Sequence, residues 1–140
     1  MIRLANKFDN KAIKKILVSF ALTQDNNFSN DSKKWDFDYI ENQLTKIYAG
    51  MGFVLIDDLE SGFICAVKAP SFWFPNRYAL YEMMWYSDSK KVAVELLNAY
   101  IEKGKEMIKT EEIVELHFSA FSDVDFSKYG AKKFTNDWVI

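Results

Sequence analysis

Two titratable side chains interrupt apolar stretches of this sequence and could carry acid–base chemistry. Glu82 stands in Tyr78-Ala-Leu-Tyr-Glu-Met-Met-Trp-Tyr86, an aromatic run with the look of a strand. A carboxylate pointing from such a strand into a half-buried cleft has a raised pKa, which suits a general base. The plainer alternative is a carboxylate on the solvent side or at a sheet edge. His117 is the only histidine. In Glu115-Leu-His-Phe-Ser119 it alternates with Leu116 and Phe118, and so shares a face with Glu115 and Ser119. If that face opens on a cleft, a Glu115–His117 pair could accept a proton through water. Otherwise it is the polar outer stripe of a half-buried strand.

Other chemistries find no support. A lone histidine with no cysteine nearby cannot assemble a metal site. The single cysteine, Cys65, excludes an internal disulfide, and its apolar setting, Gly62-Phe-Ile-Cys-Ala-Val67, suits a packed core thiol better than a nucleophile. There is no Gly-x-Ser-x-Gly elbow, Walker loop or dinucleotide fingerprint.

The elements that hold these side chains follow from periodicity. Ile2-Arg-Leu-Ala reads as a short first strand. Asp9 is placed to cap a helix reaching about Leu22, whose Ile13, Ile16, Leu17, Phe20 and Ala21 form one stripe. The polar stretch 23–34 reads as a loop. Asp36 caps a second helix to about Ala49, with Ile40, Leu44, Ile47 and Tyr48 on one face and Gly50 as its stop. The period then switches: residues 53–56 and 63–67, joined by Asp57-Asp-Leu-Glu-Ser-Gly62, predict an antiparallel hairpin. Pro70-Ser-Phe-Trp-Phe-Pro75 is an aromatic loop in which Phe72, Trp73 and Phe74 could line an acceptor site, form a partner-binding patch, or plug the core. After the Glu82 strand come a short polar loop, Ser87-Asp-Ser-Lys-Lys91, and an amphipathic helix from about Val92 to Lys109. A strand from Glu112 to Phe121 follows. Phe126-Ser-Lys-Tyr-Gly130 reads as a small helix and Asn136-Asp-Trp-Val-Ile140 as a last strand. The sum is an α/β class with a mixed central sheet flanked by helices.

Composition sets the outer bounds. A chain of 140 residues is expected to form one domain, 1–140, and 49% hydrophobic with 16% aromatic residues argues against disorder. A net charge of −2 leaves no basic footprint for nucleic acid. The N-terminus lacks a secretory signal pattern, and no apolar run approaches the ~20 residues that span a bilayer. The expectation is a soluble, cytoplasmic protein with neither nucleic-acid nor membrane partners.

Strand, polar loop, long helix, strand and a Lys128-Tyr-Gly130 close, preceded by two helices and a hairpin, resemble the GNAT superfamily of N-acyltransferases over essentially the full length. The hairpin, aromatic loop and Tyr81-Glu-Met-Met-Trp-Tyr86 are similar in particular to short acyltransferase-like proteins encoded by bacteriophages. The resemblance implies acetyl-CoA as co-substrate, held between two parallel strands that splay apart. Backbone of Met84, Trp85 and Tyr86 would face the pantetheine arm. Ser87, Ser89, Lys90, Lys91, Val92 and Ala93 would surround the pyrophosphate, where free helix-start amides and the helix dipole favour anions.

The motif departs from the family at defined places. Where the family has (Gln/Arg)-x-x-Gly-x-(Gly/Ala), this chain has Asp88-x-x-Lys91-x-Ala93. Where the family often places a tyrosine that protonates the departing thiolate, this chain has Phe126, with Tyr129 three residues on and turned to another side. The resemblance therefore implies a GNAT-like N-acyltransferase moving acetyl from acetyl-CoA to an amine-bearing small molecule or protein, with Glu82 or His117 as proton acceptor. The alternative is a catalytically degenerate GNAT-fold protein acting as a structural or binding component, for example of a bacteriophage particle. On that reading it would be virion-associated and would assemble through Phe72, Trp73 and Phe74.

Overall fold

A computed structural model describes residues 1–22, 32–120 and 125–134. Five strands form one sheet in sequence order: β1 (Ile2–Leu4), β2 (Gly52–Asp57), β3 (Gly62–Pro70), β4 (Tyr78–Ser87) and β5 (Ile113–His117). The first four pair antiparallel, and only β4 and β5 run parallel. That pair is bridged by the long helix α3 (Lys90–Lys109), as a parallel crossover requires. The helices α1 (Asn10–Leu22) and α2 (Phe37–Lys46) cover the opposite face.

The alternation of the strands feeds two cores. Leu55, Ile64, Ala66 and Leu80 point toward Leu96, Leu97, Tyr100 and Ile101 of α3. Val54, Ile56, Phe63 and Cys65 point toward Ala12, Ile13 and Ile16 of α1 and Leu44 of α2. Each fully buried Leu, Ile or Phe contributes about 1.5–3 kcal/mol relative to exposure.

Two glycines are dictated by geometry. Gly50, with φ +122°, ends the π-helical turn Ile47–Met51 that follows α2, so the expected stop holds although its last turn is wider than α-helical. A Cβ on Gly52 would lie 1.9 Å from the Ala66 carbonyl oxygen, so only glycine lets β2 approach β3 there.

Several expectations need correction. Asn6, not Asp9, is the first cap: its side chain accepts from Phe8 N, while Asp9 bonds back to Asn6 N in front of a short 3-10 turn. Asp9 is instead buried against Arg3 at 2.8 and 2.9 Å, and that guanidinium holds its carboxyl below the usual range. β5 stops at His117 rather than Phe121, because Ser119 turns away to a partner on β4. The small helix is a single 3-10 turn, Ser127–Tyr129. Of the expected loop at 23–34, Ser32–Lys34 is a 3-10 turn, and the rest, like the expected last strand at 136–140, lies outside the described residues.

Candidate functional site

The site grows from the way β4 and β5 part. Their register runs Leu80↔Leu116, then Tyr81↔His117, and ends there, although β4 continues to Ser87. β4 also carries a bulge: Cys65 pairs with Met84 and Ala66 with Glu82, so Met83 is the extra residue. A bulge adds local twist and re-aims the residues around it. The two strands thus open like a V whose apex is Tyr81–His117, and β4 leads from the apex to the start of α3.

At that start the backbone is ordered by serines. Ser87 Oγ accepts from Ser89 N at 3.0 Å and donates to the Ser61 carbonyl at 3.0 Å. Ser89 caps α3, its Oγ accepting from Val92 N at 3.3 Å, while its carbonyl takes Ala93 N at 2.9 Å. The amides of Lys90 and Lys91 have no partner among the described residues. Trp85 Nε1 donates to the Ala93 carbonyl at 3.0 Å and so fastens the end of β4 to the first turn of α3. The Asp88, Lys90 and Lys91 side chains are exposed. Unpaired N–H groups at the positive end of a twenty-residue helix form an anion-binding end, and two lysines beside them add to it.

The two candidate bases lie on opposite faces of the sheet. Glu82 pairs with Ala66 and so faces the α3 side. Its Oε2 accepts both Ser119 N and Ser119 Oγ, each at 3.0 Å, across the mouth of the V. Burial pushes the Glu82 carboxyl up, and the two bonds from Ser119 pull it partly back. His117 faces the α1 and α2 side, stacked on Tyr81 with ring centroids 4.6 Å apart and met edge-on by Phe134 at 5.6 Å. Glu115 Oε1 is 3.2 Å from His117 Nε2 but off the N–H axis, so this buried nitrogen makes no hydrogen bond among the described residues. Ser119 therefore belongs to Glu82 and not to the Glu115–His117 stripe, which corrects the expected grouping.

On the α3 side the V is lined by aromatics. Phe126 contacts Phe118 (5.1 Å), Tyr129 (6.3 Å) and Trp85 (6.4 Å). Tyr129 packs there, as its place in the sequence suggested. Cys65 is 5% exposed and burial pushes its thiol up to about 12, so it is an inert core group.

The aromatic loop is not a core plug: Phe72 is 88% and Trp73 78% exposed. Ser71 Oγ accepts from Trp73 N and Phe74 N, and Ser71 N bonds the Arg77 carbonyl, which closes the tip of the β3–β4 hairpin. This tip lies at the start of β4, nine strand steps or about 30 Å from Ser87. Tyr81, at the apex of the V, is three strand steps or about 10 Å from Tyr78 at the foot of this tip. Sequence reasoning missed the Ser119–Glu82 and Tyr81–His117 contacts, because both depend on which strand lies beside which.

No protein-family model matches the chain, and no curated protein sequence does. Solved structures do. Over 100% of this chain it is similar to a ribosomal-protein-alanine N-acetyltransferase from Brucella melitensis biovar Abortus 2308, at 15% identity, with 98% of that chain covered and a TM-score of 0.64. It is similar to glucosamine-6-phosphate N-acetyltransferase from Arabidopsis thaliana, at 12% identity, covering 100% of this chain and 96% of that one, with a TM-score of 0.66. A transcriptional regulator from Bacillus halodurans C-125 matches at 12% identity, 100% and 97% coverage and a TM-score of 0.68. At these identities the likeness is one of architecture, which in this chain is a mixed sheet with helices on both faces and one parallel pair. The chain has the GNAT, or acyl-CoA N-acyltransferase, fold.

Proposed function

We propose that the chain is an N-acyltransferase that moves an acetyl group from acetyl-CoA to an amine of a small molecule or protein. One observation carries this reading: β4 and β5 part at Tyr81–His117, and β4 then runs into a helix start with two unpaired amides. Backbone of Met84, Trp85 and Tyr86 is suited to hold the pantetheine arm. The Lys90 and Lys91 amides, with Ser87, Ser89, Val92 and Ala93 around them, are suited to the pyrophosphate. The thioester of the bound co-substrate supplies the activated acyl group.

The remaining work falls to the chain. With the proton on Nε2, the His117 N–H dipole lies beside the negative Glu115 carboxylate 3.2 Å away, without a hydrogen bond between them. That leaves Nδ1 with a lone pair to accept the proton of an attacking amine, while the thioester C–S bond breaks and the CoA thiolate departs. Glu82, engaged with Ser119, serves as a positioning residue that keeps the V open at a fixed width.

The test begins with calorimetric titration of acetyl-CoA and desulfo-CoA at low and moderate salt, followed by thiol release with a panel of amines. Micromolar binding and turnover that His117→Ala abolishes, with binding intact, are the expected results. Absence of binding at millimolar ligand would overturn the reading. The second reading, a fold that has lost catalysis and serves as a binding or structural component, rests on Phe126: it stands at the acid's position without a hydroxyl and packs against Trp85 and Phe118. On that reading His117→Ala and Glu82→Gln leave biological activity intact.

A further inference from the structure

The largest fully buried side chain among the described residues is a tyrosine. Tyr100 of α3 is 0% exposed, its ring against Phe53 at 6.1 Å in the core between α3 and the sheet. A phenol buried there needs a hydrogen-bond partner. Tyr100 Oη donates to the His117 carbonyl at 2.6 Å, a short bond from the helix to the last residue of β5. His117 is also where β4 and β5 cease to pair. We infer that Tyr100 is a positioning residue for the histidine base: its phenol ties the His117 carbonyl to α3 and so fixes where the imidazole stands relative to the start of that helix. The inference rests on the acyl-transfer reading for the role of the histidine; the tie itself does not.

Three observations carry it. The first is what holds the ring. Nε2 makes no hydrogen bond among the described residues, and the ring is otherwise restrained by Tyr81 and Phe134. Aromatic contacts tolerate sliding, with centroids anywhere from about 4.5 to 7 Å apart, so the backbone beneath the ring must set its place. The second is where the tie falls. Directly after it, Phe118 packs on Phe126 at 5.1 Å and Ser119 bonds to Glu82. Three consecutive residues are thus held as the chain leaves β4, the first of them from α3. The third is the identity of the helix. Its first amides are those suited to the pyrophosphate, and Lys90 and Tyr100 lie ten residues apart, about 15 Å along the axis. One rigid element therefore sets the distance from the phosphate end to the base, and such fixed geometry is what acyl transfer demands.

The phenol is a tie and not a reactant. Burial pushes its pKa up, and the nearby Glu82 carboxylate pushes it further, so it remains a donor. Unexposed and with its proton committed to a carbonyl, it does not replace the acid missing at Phe126.

Tyr100→Phe keeps the ring and removes only the hydroxyl. His117 is the only histidine, so its imidazole signals in the NMR spectrum of the full chain need no assignment. The expected result is a folded protein whose imidazole protons lose part of the ring-current shift that the Tyr81 stack gives them. Its kcat for acetyl transfer should fall roughly tenfold or more with KM for acetyl-CoA unchanged, as a misplacement of about 1 Å produces. Ile13→Val, a comparable loss in the core under α1, should alter neither the signals nor kcat. The wild type should also show one slowly exchanging tyrosine hydroxyl proton that Tyr100→Phe lacks. Imidazole signals that stay in place in Tyr100→Phe, no protected hydroxyl in the wild type, or an equal loss of kcat in Ile13→Val would each overturn the positioning role. Moved imidazole signals in a protein whose wild type transfers no acetyl group would instead overturn the acyl-transfer reading, and the catalytic side of the inference with it.

Discussion

Replacing Ser119 by alanine should destabilise the protein in a manner that depends on pH, and the dependence reports on Glu82. The carboxylate takes two bonds from Ser119, N–H and O–H, both at 3.0 Å. A hydrogen bond to a charged group is worth about 1.5–3 kcal/mol. Ser119 is exposed while Glu82 is half-buried, so solvent screening places the hydroxyl's share near the low end, about 1–1.5 kcal/mol. Burial raises the folded pKa of Glu82 above its ordinary value of 4.5, while both Ser119 bonds lower it. A group with a raised folded pKa contributes stability that is full below the unfolded value and is lost as pH rises through the folded one. Removing the hydroxyl raises the folded pKa further, so the Ser119→Ala penalty should be about 0.5 kcal/mol near pH 4, where the carboxyl is protonated, and about 1–1.5 kcal/mol near pH 7.5. In a Glu82→Gln background the penalty should shrink and lose its pH dependence, since an amide accepts a neutral bond at any pH. Urea denaturation of the four proteins at both pH values measures this cycle. An equal Ser119→Ala penalty at both pH values, or one unchanged by Glu82→Gln, would show that the carboxylate does not hold the mouth of the V.

Three further outcomes bear on the site and its support. Ala93→Leu should weaken acetyl-CoA binding by more than about tenfold in calorimetry while moving the thermal midpoint only a few degrees, because the residue is only partly buried and its carbonyl bond to Trp85 is retained. Asp88→Asn should tighten binding at low salt. One carboxylate ~6 Å from a phosphate charge costs about 0.7–2.8 kcal/mol between effective dielectrics of ~80 and ~20. The exposure of Asp88 favours about 1 kcal/mol, or roughly fivefold, falling as salt is added. Gly104→Ala gains about 1 kcal/mol of helix propensity, yet its Cβ would meet Leu116 Cδ2 at 2.9 Å in a packed core. The Leu116 side chain is half-buried and its end can shift, so the overpacking roughly cancels the gain and urea midpoints should change little.

The parts of this fold legible in the sequence are those set by local rules. The stripes of α1, α2 and α3, the Asp36 cap and the β2–β3 hairpin all follow from spacing and capping; the Ser89 cap, two residues ahead of the expected start of α3, does not. The hairpin turn is even self-contained: Asp57, 2% exposed, accepts from Leu59 N, Ser61 N, Ser61 Oγ and Gly62 N. The site was less legible because its contacts cross the sheet. The bulge at Met83 shifts the alternation of β4, so Glu82 and Met84, two residues apart, face opposite sides. No period-two reading recovers that. The Tyr81–His117 stack and the Glu82–Ser119 bonds join residues more than thirty positions apart, and they exist only because the α3 crossover lays β5 beside β4. Gly104 was readable as a cost that packing must justify; the Leu116 methyl that justifies it was not.

The bulge also bears on which candidate base can meet a substrate. An amine must reach the mouth of the V from one face of the sheet. On the α3 face that region is filled by Trp85, Phe118, Phe126 and Tyr129, and Glu82 is held behind it by Ser119. On the other face Tyr81 is 40% exposed, and the His117 ring stands against it at the apex. On the proposed reading, an acceptor arriving over Tyr81 would meet the His117 ring at the apex. Had β4 alternated regularly through Met83, Glu82 and Met84 would share a face and Trp85 would fall on the α1 and α2 side. The bulge therefore turns Trp85 inward, where its N–H fastens β4 to α3, and sets Met84 on the opposite face with the α1 and α2 core.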